Sequence, residues 1–180
     1  MKQQPWAACL VPVALVATPG YAVDYLSVAQ AQQQLLPTAN SFTERPLAFT
    51  PDQRDRIKAE SGQRQRQDGQ KVWRAERDGA LQGWFIVDDV IGKHDFITYA
   101  AAISPDGRVL GIEILSYRET YGGQVRDAAW RKTLVGKTLA DPFKLDQDVP
   151  NISGATLSCR NVMDGVKRLL TIHKLHLAPG

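Results

Sequence analysis

The stretch Ser153-Gly154-Ala155-Thr156-Leu157-Ser158, close to the C-terminus, combines small residues with three hydroxyl side chains. Apolar residues recur after it at helical spacing, which predicts a helix that begins at this turn: Val162, Val166, Leu169 and Leu170. The first amides of a helix have no acceptor inside the helix, and the helix dipole favours negative charge at that end. The stretch is therefore predicted to be an anion site that favours a phosphate.

A second motif, Glu119-Thr120-Tyr121-Gly122-Gly123, lies about thirty residues upstream. Its two glycines would let the backbone approach a flat ring closely. Taken alone, the motif is equally typical of an ordinary loop that leaves a strand. In the same way, Thr156 or Ser158 could simply cap the following helix, which is the commoner use of such residues.

The two motifs in this order resemble the S-G-A-T signature and the E-T-x-G-x-G loop of FMN-binding domains. That family includes the C subunit of sodium-translocating NADH:quinone reductase and the G subunit of the Rnf complex. The resemblance covers roughly residues 72–170 and implies that the cofactor is FMN. It further implies that the FMN phosphate is joined to the hydroxyl of Thr156, that a flavin transferase installs FMN from FAD, and that the redox partner is a membrane protein or complex.

The resemblance also assigns cofactor-binding positions around Thr156 and along the flavin. They are Ser153, Gly154, Ala155, Leu157 and Ser158 in the first motif, and Glu119, Thr120, Tyr121, Gly122 and Gly123 in the second. Lys137, between the motifs, is a candidate to pair with the phosphate. Two positions depart from the family pattern: Pro150 stands where many flavin-transferase substrates have an Asp, and adjacent glycines replace the G-x-G spacing.

Charge and motif content exclude several classes of function. The formal net charge of +3 is small and scattered, so no nucleic-acid partner is expected. The three histidines lack the spacing of metal ligands, so no metal is expected. There is no G-x-G-x-x-G after a predicted strand, so direct oxidation of NADH is not expected.

Residues 1–22 read as a secretory signal. Lys2 precedes an apolar run, and Gly20-Tyr21-Ala22 places small residues where signal peptidase cleaves. An uncleaved anchor is the alternative. The sequence thus predicts an exported protein, periplasmic or at the outer face of the inner membrane. Removal of the signal would leave Cys159 as the only thiol, so no internal disulfide is expected.

The mature chain divides into a helical lead-in and linker (residues 23–70) and an FMN-binding domain (residues 71–180). Helices are predicted at residues 27–36, 51–61 and 125–134, with residues 38–49 irregular. Strands are predicted at residues 72–77, 80–90, 96–104 and 109–117, joined by turns such as Asp78-Gly79. The fold class is α+β: an antiparallel sheet of about four or more strands with flanking helices.

Three functions are compatible with these features. The first is an exported FMN-binding protein that carries electrons to or from a membrane redox partner. The second is a non-redox exported module that binds a phosphate ligand. The third is a stand-alone flavin reductase, so the sequence leaves open whether the protein is an enzyme.

Overall fold

An antiparallel sheet forms the centre of the computed structural model, which describes residues 23–119 and 121–178. The predicted signal segment and Thr120 lie outside the described residues. Within them the sheet has seven strands in the order β1-β7-β6-β5-β4-β2, with β3 also paired to β4. The strands are β1 (Val23–Asp24), β2 (Ser41–Glu44), β3 (Leu47–Ala48), β4 (Gly69–Arg77), β5 (Ala80–Ile91), β6 (Phe96–Ile103) and β7 (Val109–Tyr117).

The helices flank this sheet, so the predicted α+β class is confirmed. They are α1 (Val28–Leu35), α2 (Pro51–Ser61), α3 (Ala128–Lys132) and α4 (Thr156–Ile172), with a 3₁₀ turn at Gly123–Arg126 and a π-helical turn at His173–Leu177. Thr50 and Gln53 form a capping box at the start of α2, and Gly62, at φ 75°, ends it. Both ends of α2 were predicted from the sequence.

The strands β4 to β7 match the four predicted strands to within three residues at each end. Asp78 and Gly79 both have positive φ, 52° and 82°, as a two-residue hairpin turn of the primed type requires. The sequence prediction failed at residues 38–49, which are not irregular but contain β2 and β3. These strands are only four and two residues long, and they form because they pair with β4, so local periodicity cannot reveal them.

The predicted helix at residues 125–134 is also corrected. The structure divides it into the 3₁₀ turn and α3, because Asp127 lies between them with a non-helical backbone (φ −55°, ψ 125°). The Asp127 side chain accepts the N–H of Ala129 at 2.8 Å and so begins a new helix. The predicted domain boundary at residue 70 stays a prediction, although β2 pairs with residues 73–76 of β4 across it.

Each face of the sheet packs against a different helix. Ala101 and Ile103 of β6 belong to the core that contains the apolar face of α4, whereas Ala100 and Ala102 belong to the core around α1. This alternation is what a strand covered on both faces shows. Gly165 lets α4 approach closely, because a Cβ there would lie 2.9 Å from Val90. The close packing fixes where the first turn of α4 lies relative to the end of β7.

Candidate functional site

A pair of hydroxyls joins the end of β7 to the first turn of α4. The hydroxyl of Tyr117 donates to the carbonyl oxygen of Tyr121 at 2.5 Å, and its oxygen lies 3.0 Å from the hydroxyl oxygen of Ser158. Tyr117 has one hydroxyl proton, so Ser158 is the donor of the second bond. Gly122 passes beside this pair with φ 92°, where a Cβ would lie 2.6 Å from the Tyr117 oxygen. The two sequence motifs are thus connected through Ser158 of the first motif and Tyr117, which lies two residues before the second.

The first turn of α4 presents unpaired groups. The helix ladder begins with the N–H of Cys159 bonded to the carbonyl of Ala155 at 2.9 Å, so the amides of Thr156, Leu157 and Ser158 precede it. Ala155 occupies the N-cap position, and no side chain caps the helix. The alternative that Thr156 or Ser158 is a helix cap is therefore wrong. The half-buried Thr156 hydroxyl makes no hydrogen bond to a residue that the structure describes.

These groups line a cavity of about 500 Å³. It brings together most of the predicted site: Gly154, Ala155, Thr156, Leu157, Ser158, Glu119 and Tyr121. Gly122 and Gly123 lie in the adjoining loop but do not line it, and the exposed Ser153 precedes the lining residues by one position. Leu157 and Tyr121 leave 43% and 80% of their surfaces exposed, so the cavity has apolar and aromatic groups available at its edge.

Glu119 uses its carboxylate on the protein itself. One carboxylate oxygen accepts the N–H of Asp95 at 2.9 Å and also the N–H of His94. Burial opposes ionisation of this group, but the backbone N–H groups of Asp95, His94 and Lys93 outweigh it and lower the pKa of Glu119. Glu119 is therefore an anion that holds the turn between β5 and β6.

Lys137 lies outside the cavity. Its ammonium nitrogen is 2.8 Å from a carboxylate oxygen of Asp148. Burial would raise the pKa of Asp148, but the Lys137 ammonium and the amides of Lys144 and Phe143 lower it. In this arrangement the charge of Lys137 is neutralised by Asp148 and stabilises the loop that precedes α4.

The side chains of Trp130 and Cys159 belong to the core. Trp130 is 3% exposed, and its indole N–H donates to the carbonyl of Pro150 at 2.8 Å. Cys159 is buried beneath the turn, and burial raises the pKa of its thiol, as expected for an inert packing residue. Neither residue lines the cavity.

The structure adds two residues that the sequence motifs did not reveal. Lys93 and His94 form part of the cavity wall. They stand in the Gly92-Lys93-His94-Asp95 turn, about twenty-five residues from Glu119, and only the hairpin register places them there. A polar turn of this kind carries no sequence signal for a ligand contact.

Comparison with known proteins agrees with this geometry. Residues 92–171 match the family described as FMN-binding domain. The matched segment is somewhat less than half of the chain; it is similar to FMN-binding domains, and the cofactor that this similarity indicates is FMN. The match begins at the Lys93 turn and ends inside α4, so it contains every residue that lines the cavity.

The curated relatives are parts of larger assemblies. The chain is 30% identical over 111 residues to the G subunit of the ion-translocating oxidoreductase complex of Stutzerimonas stutzeri, covering 56% of this chain and 49% of that protein. It is 29% identical over 119 residues to the corresponding protein of Cereibacter sphaeroides, covering 60% and 54%. The chain thus spans about half the length of the curated relatives it matches.

A solved structure shares the fold of this chain. The C subunit of the Na⁺-translocating NADH-quinone reductase from Parabacteroides distasonis superposes with a TM-score of 0.52, at 13% identity, covering 83% of this chain and 92% of that one. At this identity the likeness speaks for the fold alone. None of the helices in residues 23–119 and 121–178 is long and apolar enough to span a bilayer.

The groups around the cavity fit a phosphate-bearing cofactor. Three amides precede the α4 ladder, the Thr156 hydroxyl lies among them, and Lys93 adds a positive charge. Gly154, at φ 84°, has no heavy atom within 4 Å of the position of a Cβ, so the turn is open on that side. An anion at a helix N-terminus is stabilised by these amides and by the helix dipole.

Proposed function

We propose that this chain is an exported electron carrier that holds FMN at the first turn of α4 and exchanges electrons with a membrane redox complex. The observation that carries the proposal is that residues of both motifs, Thr156 and Glu119 among them, line one cavity. Export rests on the sequence of residues 1–22, which lie outside the described part of the structure.

Thr156 is proposed as the covalent anchor. Its hydroxyl oxygen attacks the phosphorus on the riboflavin side of FAD, the pyrophosphate bond breaks, AMP leaves, and the hydroxyl proton is released. A flavin transferase catalyses this exchange. The exchange transfers a phosphoryl group and needs no oxidant or reductant. The amides of Leu157 and Ser158 would then stabilise the remaining phosphate charge.

FMN, once bound, supplies one- and two-electron transfer, and the protein positions it. Leu157 and Tyr121 offer apolar surface at the cavity edge, where contact with another protein is possible. The Glu119 carboxylate is already occupied by backbone amides, so it is not placed to transfer protons to a substrate. This arrangement favours an electron carrier over a stand-alone reductase.

The partner is proposed from the relatives, whose names identify them as parts of ion-translocating oxidoreductase complexes. Stopped-flow spectroscopy of the purified flavoprotein tests the proposal. NADH alone is expected to reduce the flavin very slowly, whereas membranes that contain the native redox complex are expected to reduce or oxidise it quickly. Rapid multiple turnover with NADH and a small acceptor would favour the stand-alone reductase, and a colourless protein after co-expression with a flavin transferase would favour a non-redox binding module.

A further inference from the structure

The turn between β5 and β6 places an uncommitted positive charge at the FMN site. Lys93 is exposed and lines the same cavity as Thr156. Its ammonium forms no ion pair with any residue that the structure describes. Lys137, the lysine that the sequence suggested for the phosphate, is instead paired with Asp148. Lys93 is therefore the better placed of these two cations.

The position of this turn is fixed by Glu119. Its carboxylate accepts the amides of His94 and Asp95, the two residues that follow Lys93. There is no room for a side chain at Gly92, because a Cβ there would lie 2.5 Å from the same carboxylate oxygen. The carboxylate is thus in close contact with the backbone on both sides of Lys93, and charge-assisted bonds of this kind are stronger than bonds between neutral groups.

We propose that Lys93 contacts the FMN phosphate and that Glu119 is a positioning residue that holds Lys93 at the site. The inference rests on the proposed function, since it takes FMN to be held at Thr156. The amides at the start of α4 would hold the phosphate, and the Lys93 ammonium, which belongs to the same cavity lining, would add a charge contact to it. Glu119 acts on the cofactor through the turn and does not itself bind the flavin.

The first experiment titrates FMN into the apo form of the full chain, made without a flavin transferase, and follows flavin fluorescence. Lys93→Gln is expected to weaken binding by about three- to tenfold and to reduce its dependence on salt. Lys93→Arg keeps the charge and is expected to retain most of the affinity. Lys132→Gln, which removes an exposed lysine of α3, is the matched control and is expected to leave the affinity unchanged.

A second measurement uses protein already loaded with FMN. The phosphorus NMR signal of the Thr156 phosphodiester is expected to shift in Lys93→Gln and to stay in place in Lys132→Gln. An unchanged affinity and an unchanged phosphorus signal in Lys93→Gln would overturn the contact while leaving the proposed function intact. A wild-type chain that acquires no FMN from its transferase would count against the proposed function instead.

A double-mutant cycle tests the role of Glu119. Glu119→Ala alone is expected to weaken FMN binding about as much as Lys93→Gln, and to cause little further loss when Lys93 is already Gln. Glu119→Gln keeps an acceptor oxygen for the two amides and is expected to restore most of the affinity. Additive losses in the cycle would show that Glu119 acts independently of Lys93 and would overturn the positioning role. If Glu119→Ala does not fold, the same cycle is run with Glu119→Asp, whose shorter side chain draws the carboxylate away from the two amides, and an equal, measurable loss of affinity in both Lys93 backgrounds would overturn the positioning role.

Discussion

The hydroxyl oxygens of Tyr117 and Ser158 lie 3.0 Å apart and connect the end of β7 to the first turn of α4, across 41 residues of sequence. Burial raises the pKa of Tyr117, although its bond to Ser158 opposes the rise, so the phenol stays protonated and remains a donor. The bond to Tyr121 then holds the loop that follows β7. The loop after β7 and the first turn of α4 are therefore connected by hydrogen bonds within the protein.

Removing this contact is expected to loosen the site without removing the anchor. Tyr117→Phe and Ser158→Ala should each lower the free energy of unfolding by about 0.5–1.5 kcal/mol, because each leaves a buried hydroxyl or carbonyl with one bond fewer. Urea denaturation measures the loss, with Ser153→Ala, at an exposed position, as the control. Ser158→Ala should still acquire covalent FMN. A Ser158→Ala protein without covalent flavin would mean that the anchor is not the Thr156 hydroxyl.

The two glycines of the upstream motif are expected to differ sharply. Gly122→Ala should destabilise the protein by more than about 1 kcal/mol, since its φ is 92° and the new Cβ would meet the Tyr117 and Ser158 hydroxyls. Gly123→Ala should stay within about 0.5 kcal/mol of wild type, because its Cβ would enter open space. Thermal or urea unfolding compares the pair. Equal losses of unfolding free energy in Gly122→Ala and Gly123→Ala would contradict the assignment of positive φ and close packing to Gly122 alone.

The sequence motifs predicted which segments meet but not how each residue acts. The spacing of glycines cannot show that only Gly122 of the pair has positive φ, since that depends on where Tyr117 and Ser158 lie in space. Glu119 lines the cavity, and its carboxylate also binds a turn about twenty-five residues earlier, a contact that the motif did not predict. Such contacts depend on strand register, which is set by pairing partners and not by local sequence.

The two histidines of the C-terminal π-helical turn, of which His173 is buried and His176 half-buried, predict a loss of stability in mild acid. Burial lowers the pKa of His173 and of His176 below the ordinary value of 6.5, with Asp106 opposing the shift at His173. As the pH falls below 6.5, the unfolded chain binds protons that the folded chain does not, so stability falls with pH. For His173 the slope approaches at most about 1.4 kcal/mol per pH unit.

Urea unfolding at about pH 7 and about pH 5 measures this effect, and the comparison is between wild type and His173→Gln. Burial raises the pKa of Asp88 and Asp164, so the contribution of these carboxyls to stability rises as the pH falls. Both proteins contain the two carboxyls, so this contribution cancels in the difference between them. His173→Gln should lose less stability than wild type between the two pH values. His94→Gln, at an exposed position, is the control, and equal losses in all three proteins would contradict the assignment.

A buried ion pair beneath α4 predicts a large and asymmetric mutational effect. A guanidinium nitrogen of Arg168 lies 2.6 Å from a carboxylate oxygen of Asp88. The same oxygen accepts a hydrogen bond from the Tyr99 hydroxyl at 2.7 Å. Asp88→Asn leaves Arg168 buried without its counter-charge and should cost about 3–5 kcal/mol of unfolding free energy. Adding Arg168→Met should recover much of that loss.

The exposed pair between Lys174 and Glu60 supplies the control for the buried one. Lys174→Met should change the unfolding free energy by no more than about 1 kcal/mol, as is usual for a surface pair. A double variant of Asp88 and Arg168 that is less stable than Asp88→Asn alone would show that Arg168 stabilises the fold through contacts other than this pair.

The fold was largely predictable because its hairpins carry strong turn signals and its last helix has a clear apolar face. The two short strands of residues 41–48 were not, since they depend on β4 for every hydrogen bond that defines them. Lys93 was missed for a related reason. Its turn has an ordinary polar sequence, and only folding brings it to the same cavity as Thr156.

The most direct test of the account is the attachment site of the flavin. The chain is made with its export machinery and a flavin transferase, digested, and analysed by mass spectrometry, beside Thr156→Val. The account predicts one FMN moiety on the wild-type peptide that contains Thr156, and none on Thr156→Val, since valine keeps the shape and removes the oxygen. Flavin bound covalently to another residue, or an equal modification of Thr156→Val, would contradict it.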